Sequence, residues 1–219
     1  MKKYNFNMVE IALAMVIISI GITGILGLFS VGVNARKAAI SENNIADAAE
    51  YTLGLYRALI LEKYTDSPVG EGKNAPAIVN GIPTANAAVG SDGTSLDISG
   101  LTGTATSHIY TGSGTSVTNF NVSSATALPE TFVYAPSRLV DGVRIADCEI
   151  AGSIWKTQIP VTFLGASSKV DMPYSYGVRV YLELSWPLEQ KYDNRDKKIF
   201  VMDIVNPKPV LAAKSQGGE

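Results

Sequence analysis

A continuous apolar stretch near the beginning of the chain constrains its structure more than any other feature. From Ile11 to Val33 there are 23 residues without one ionisable side chain. As an α-helix this stretch is roughly 35 Å long, enough to cross a bilayer core of about 30 Å. Glu10 directly precedes it. A carboxylate costs on the order of 3 kcal/mol at the bilayer centre and less near an end, so Glu10 is predicted to have a functional partner.

The charges that flank the apolar stretch predict its orientation. Lys2 and Lys3 precede it, and no acidic residue lies before Glu10. This pattern favours the cytoplasmic side for the short N-terminal end and the outside for the remainder. Three interpretations fit: a secretory signal cleaved after Ala35, a plain single-pass anchor of an external domain, and a helix that also assembles with partners. A signal would normally have an apolar region of about 7–15 residues, and a plain anchor gives the carboxylate no role.

The stretch NFNMVEIALAMVIISIGITGILGLFSVGV resembles the N-terminus of type IV pilins and of type II secretion pseudopilins. Its Gly-rich second half is most similar to the minor-pilin branches. The resemblance implies a leader peptide, residues 1–5, that a prepilin peptidase removes between Asn5 and Phe6, with methylation of the new N-terminus. Glu10 would then be the fifth mature residue, as in the family. The family almost always has Gly where this chain has Asn5, so an uncleaved membrane anchor carrying an extracytoplasmic binding domain stays as the alternative.

The resemblance also implies roles for residues within the helix. Glu10 would attract the freed N-terminal amine of a neighbouring subunit, because paired opposite charges offset each other's desolvation. Gly21, Gly24 and Gly27 would allow close helix packing or bending, unless they reflect only the ordinary glycine content of membrane helices. The implied partners are other pilin or pseudopilin subunits, the prepilin peptidase and inner-membrane lipid. The implied location is the inner membrane, with the C-terminal domain outside the cytoplasm, and then a filament.

After Val33 the sequence becomes amphipathic. One helical face is predicted from spacings of three, four and seven residues, at Ala38, Ile45, Ala49, Thr52, Tyr56, Leu59 and Ile60. We predict one helix from about residue 7 to 63, with residues 6–33 in the membrane or filament core and residues 34–65 as its amphipathic continuation. Two helices hinged near Asn34 are the alternative. Residues 66–130 are rich in Gly, Ser and Thr, which predicts an exposed, loop-rich variable region with one or two edge strands or small hairpins.

The last third of the chain, residues 131–210, is predicted to form an antiparallel sheet. The clearest strand alternates, with Val178, Val180, Leu182 and Leu184 on one face and Arg179, Tyr181, Glu183 and Ser185 on the other. KKIFVMDIVNP is its predicted partner, Asp141-Gly142 marks a hairpin turn, and Pro160 marks an edge strand or bulge. The pattern predicts one sheet face on the helix and one in water. Residues 211–219 are predicted to be a flexible tail. The predicted fold is therefore α+β and pilin-like.

Several function classes are disfavoured by what the sequence lacks. A net charge of −2 argues against a nucleic-acid partner. No phosphate loop, nucleophile elbow or Cys-x-x-Cys occurs, and His108 is the only histidine, so we predict no enzyme, no cofactor and no metal site. Cys148 is the only cysteine and is predicted to be a small buried hydrophobe. The predicted function is therefore structural, as a minor pilin or pseudopilin of a type IV pilus or a type II secretion-like filament.

Overall fold

A computed structural model describes residues 8–66, 75–86, 107–113, 116–141, 143–162, 169–188 and 190–208. The chain divides into two compact units, Met1–Asn44 and Ile45–Glu219. One α-helix, α1 (Met8–Asp66), contributes residues to both. Asn5, Phe6 and the tail 211–219 lie outside the described residues, and so do the predictions made for them.

In the first unit the described structure is helix throughout. The segment Met8–Phe29 has a mean hydropathy of 2.5 over 22 residues, and no part of it is buried by the rest of the chain. Its large apolar side chains, from Met8 to Phe29, are roughly half to nearly fully exposed. The helix is therefore long and apolar enough to span a membrane, as its sequence predicts.

The second unit contains a six-stranded antiparallel sheet and two separate hairpins. The described strands are β1 (Ile109–Ser113), β2 (Ser116–Asn119), β3 (Thr131–Tyr134), β4 (Ser137–Val140), β5 (Val143–Ala146), β6 (Ile150–Thr157), β7 (Ile159–Thr162), β8 (Lys169–Met172), β9 (Gly177–Trp186) and β10 (Asp196–Val205). The order in the main sheet is β10-β9-β6-β3-β1-β2, and β4–β5 and β7–β8 pair separately. The order of elements, a helix followed by an antiparallel sheet, confirms the predicted α+β class.

The core of this unit lies between one face of the sheet and the amphipathic part of α1. All predicted face positions of the helix whose side chains are described are buried: Ile45, Ala49, Thr52, Tyr56, Leu59 and Ile60. The predicted inward residues of β9 are completely buried: Val178, Val180, Leu182 and Leu184. Each large apolar side chain removed from water in this way contributes about 1.5–3 kcal/mol, so the packing of helix on sheet stabilises the unit.

Two local predictions, a hairpin turn and a proline in an edge strand, are confirmed. Strands β4 and β5 pair directly on either side of the predicted turn, and Asp141 has a φ of 51°, the left-handed conformation that such two-residue hairpins require. Pro160 lies in β7, opposite Asp171 of β8, in a sheet of only two strands. Each strand of such a sheet is an edge, where the missing N–H of proline is tolerated.

The prediction for the region 66–130 is wrong for several of its described residues. A short helix, α2 (Ala77–Asn80), and the turn after it bury Ile78, Val79 and Ile82 in the core, together with Leu128. Lys156 of β6 holds this helix. Its buried ammonium donates to the carbonyl oxygens of Val79 and, at 3.0 Å, Asn80, and burial lowers the lysine's pKa. The predicted edge hairpin is present as β1–β2.

The prediction of a water-exposed outer sheet face is also wrong in part. The outer face is the one that bears the odd-numbered residues of β9. Glu183 and Ser185 belong to it as predicted, yet both are buried, and so is Ser153 of β6. Chain segments near Asn86 and Leu188 cover this face. The alternation along a strand predicts which face a residue joins, but not whether a distant loop returns to cover it.

Candidate functional site

The strongest sequence-predicted site residue, Glu10, lies in the first turn of α1. The apolar neighbours Val9, Ile11 and Leu13 are exposed around it. The carboxylate therefore marks the beginning of an apolar surface that the described chain leaves uncovered.

The helical repeat brings Glu10 onto one face with two of the predicted glycines. Successive residues turn by about 100°, so Gly21, eleven residues later, lies within about 20° of Glu10, and Gly24 lies within about 40°. Ala14 joins the same face, whereas Gly27 lies about 100° away. A Cβ atom built at Gly21, Gly24 or Gly27 would meet no atom within 4 Å. None of these three glycines is used for packing by the described part of this chain.

Two hydroxyl groups within the apolar helix are satisfied by the helix itself. Ser19 Oγ donates to the carbonyl oxygen of Met15 at 2.7 Å, and Thr23 Oγ1 donates to that of Ser19 at 2.8 Å. Such bonds to the preceding turn remove the need for a polar partner in an apolar environment. Glu10 is the only ionisable side chain between Met8 and Phe29.

A polar cluster lies on the outer face of the sheet, formed by Asn86, Ser153, Glu183 and Tyr192. Ser153 and Glu183 are buried, Tyr192 is half-buried and Asn86 is exposed. The Glu183 carboxylate accepts the Tyr192 hydroxyl at 2.6 Å and the Asn86 amide at 2.9 Å, and Ser153 donates to Asn86 Oδ1 at 2.7 Å. Burial, followed by the bond to the carboxylate, raises the pKa of Tyr192 to about 12. The cluster fastens two loops to the sheet, since Asn86 and Tyr192 are 97 and 9 residues from Glu183 in sequence.

The sequence analysis did not identify this cluster. The available signal was Glu183 itself, an acidic residue between Leu182 and Leu184, because a buried carboxylate needs hydrogen-bond donors. Its donors come from distant loops whose sequence carries no mark of the contact. Arg195, also buried, holds the same loop by donating to the carbonyl oxygens of Gln190 and Leu188, at 2.8 and 3.0 Å.

His108 and Cys148 lie near one end of the helix–sheet core. The His108 ring is 5.0 Å from the ring of Tyr51 and 6.1 Å from that of Tyr134, centroid to centroid. Its Nδ1 atom is buried without a hydrogen-bond partner. Cys148 is half-buried, and desolvation followed by the nearby carboxylates of Asp147, Asp47 and Glu149 raises its pKa, which keeps the thiol protonated and weakly nucleophilic. Among the described residues, no group of three His, Cys, Asp or Glu side chains could hold a metal ion.

Comparison with protein-family models, with curated proteins and with solved structures finds no significant match to this chain.

Proposed function

We propose that this chain is a structural subunit of a filament, a minor pilin or pseudopilin of a type IV pilus or a type II secretion-like machine. The observation that carries the proposal is an uncovered apolar helix with one carboxylate at its start. Such a surface requires lipid before assembly and other apolar helices after it. The antiparallel sheet domain would remain on the aqueous side.

Glu10 supplies specificity to helix packing in this proposal. Apolar helices in a bilayer can slide past one another at little cost, since lipid and helix side chains are equally apolar. A carboxylate that must meet the α-amine of Phe6 on a neighbouring subunit selects one axial register. Ala14, Gly21 and Gly24 on the same face would allow the close approach that the register requires.

The test is Glu10→Ala in the full chain, produced in cells that assemble the filament. Removing one partner of a buried ion pair costs roughly 3–5 kcal/mol, so incorporation into filaments should fall by about a hundredfold to a few thousandfold. Insertion into the inner membrane should be unchanged, because the apolar segment is intact. Glu50→Ala, at an exposed position further along the same helix, serves as the matched control and should assemble normally.

One observation favours a second function, an uncleaved membrane anchor for an extracytoplasmic binding domain. The residue before the proposed cleavage point is Asn5, where the family has Gly. Intact mass and N-terminal sequencing of protein from native membranes distinguish the two. A chain that begins at N-methylated Phe6 supports the filament subunit, and a chain that retains MKKYN supports the anchor. Normal assembly of Glu10→Ala would also count against the filament proposal.

A further inference from the structure

After β10 the chain is held at the C-terminal end of α1. The residue that follows the strand, Asn206, is buried and donates its side-chain amide to the carbonyl oxygen of Ser175 at 3.1 Å. Its Oδ1 atom accepts the backbone N–H of Lys208 at 2.9 Å. The Lys208 ammonium in turn donates to the carbonyl oxygen of Thr65, in the last turn of α1, also at 2.9 Å. These bonds fix the point from which residues 209–219 continue.

The helical repeat identifies the side of α1 that faces β10. Tyr64 donates its hydroxyl to the carbonyl oxygen of Tyr174, in the turn before β9, at 2.6 Å. Leu53, eleven residues before Tyr64, lies within about 20° of it around the helix. Tyr51 lies about 140° from Tyr64, and its ring is 5.7 Å from that of Tyr134 in β3, on the other side of β6. The side of α1 that bears Leu53 therefore faces β9 and β10.

Between this side of α1 and β10 lies an incompletely covered apolar strip, which we call the border strip. It is formed by Leu53 and Leu61 of α1 and by Phe200 and Met202 on the inner face of β10. All four side chains pack against the core but are only half-buried. Because β10 is the last of the described strands at this border, no described strand lies beyond them. The border strip therefore has room for further apolar groups, and its upper end is close to the point where residue 209 begins.

We propose that residues 209–213 of the same chain bind in the border strip. Their sequence, Pro-Val-Leu-Ala-Ala, has four consecutive apolar residues after the proline, whereas the six residues that follow, KSQGGE, have no apolar side chain. The lengths also agree. Leu53 is twelve residues before Thr65, about 18 Å along the helix, and five extended residues span about 17 Å. The apolar part of the tail therefore ends at the level where the border strip ends.

The alternation of an extended chain matches the two sides of the border strip. Successive side chains point in opposite directions, so Val210 and Leu211 would face α1 and β10 in turn. Covering these side chains is favourable in proportion to the apolar area removed from water. Because Lys208 is already held at the end of α1, ordering residues 209–213 costs less entropy than ordering a free segment. The flexible tail would then begin at Lys214 rather than at residue 211, as its sequence predicts.

Disulfide trapping of the full chain in detergent micelles tests the position of the tail. Leu53→Cys is combined with Ala213→Cys, in a chain that also carries Cys148→Ser. The matched control combines Gly54→Cys with Ala213→Cys, because Gly54 is at the same height on α1 but exposed. We expect the Leu53 pair to form its disulfide at least ten times faster, whereas a free tail would favour the exposed cysteine. Equal trapping would overturn the proposal, and so would trapping only between separate copies, which would assign the border strip to a neighbouring subunit.

Thermal unfolding of the full chain in the same detergent gives a second measurement. Val210→Asp combined with Leu211→Asp detaches the tail, because two carboxylates cannot enter an apolar strip without partners. The midpoint should fall by about 3–6 °C. Ser215→Asp combined with Gln216→Asp adds the same charges beyond the border strip and should leave the midpoint unchanged. Equal shifts in the two variants, or no shift in either, would refute the binding of the tail. Neither variant alters the apolar half of α1, so this test is separate from that of the filament.

Discussion

At the scale of single residues, one glycine determines how closely two strands and the helix pack. Gly152 of β6 lies opposite Phe132 of β3, and the Phe132 ring covers it. A Cβ atom built at Gly152 would be 2.2 Å from Cζ of that ring. The same ring meets Tyr56 of α1 edge-on, 6.0 Å between centroids. The missing side chain therefore makes room for an aromatic contact between sheet and helix.

Gly152→Ala should lower the free energy of unfolding by about 2–3 kcal/mol, because an extra methyl in a filled core forces its neighbours to move. Gly54→Ala is the control, since its Cβ would meet nothing within 4 Å on an exposed helical position. That change should raise the free energy of unfolding by up to about 1 kcal/mol. Urea unfolding of the full chain, followed by fluorescence of Trp155 and Trp186, measures both. Equal effects would contradict the packing argument.

At the scale of elements, small residues occupy part of the buried face of α1. Ala48 and Ala49 are buried between larger buried residues, Ile45 and Tyr56, whereas Ala46 is exposed. A helix packs nearer to a sheet where its contacting side chains are small, which increases dispersion contacts across the interface. Because Ala48 is completely buried, a larger side chain at this position has no free space to enter.

Ala48→Leu should destabilise the second unit by about 1–3 kcal/mol, because the larger side chain must push the helix from the sheet or leave its preferred rotamer. Ala46→Leu adds the same atoms on the exposed side of the same helix and should change the free energy of unfolding by less than about 0.5 kcal/mol. Thermal unfolding of the two variants in one detergent provides the comparison. If both variants unfolded at the wild-type temperature, the interface between α1 and the sheet would be loosely packed and the argument would fail.

At the scale of the whole molecule, buried tyrosines make stability depend on alkaline pH. Burial raises the pKa of Tyr134 and Tyr192 to about 12, and it also raises the pKa of Tyr56 and Tyr64. The folded state therefore holds these protons more tightly than the unfolded state, whose tyrosines titrate near 10. This contribution to stability is complete below about pH 10 and is lost as pH rises from about 10 towards 12.

Tyr192→Phe separates this effect from other alkaline titrations. At pH 8 the free energy of unfolding of the variant should be about 1.5–3 kcal/mol lower than that of the wild type, since the Glu183 carboxylate loses a hydrogen bond. Between pH 10 and 12 its free energy of unfolding should fall less steeply than that of the wild type, because one proton release is missing. Urea unfolding at pH 8, 10 and 11 gives both quantities. Parallel pH curves for the two proteins would show that Tyr192 titrates normally.

The features that depend on local periodicity could be predicted from the amino-acid sequence. The spacing from Ile45 to Ile60 indicated the buried helical face, and the alternation from Val178 to Ser185 assigned the eight residues in that range of β9 to their faces. The apolar run behind Glu10 predicted a helix able to span a membrane, and the structure confirms that helix. These predictions succeed because backbone geometry sets the repeat of a helix or strand within a few residues.

Which polar residues are buried, and which apolar residues are exposed, depends on the tertiary structure. Glu183 is covered because Asn86, distant in sequence, returns to the outer face, and Ile199 is exposed because β10 lies at the border of the sheet. The neighbouring residues within each strand do not distinguish these environments. Burial depends on contacts between remote segments, and strand order and loop paths establish those contacts only when the whole unit folds.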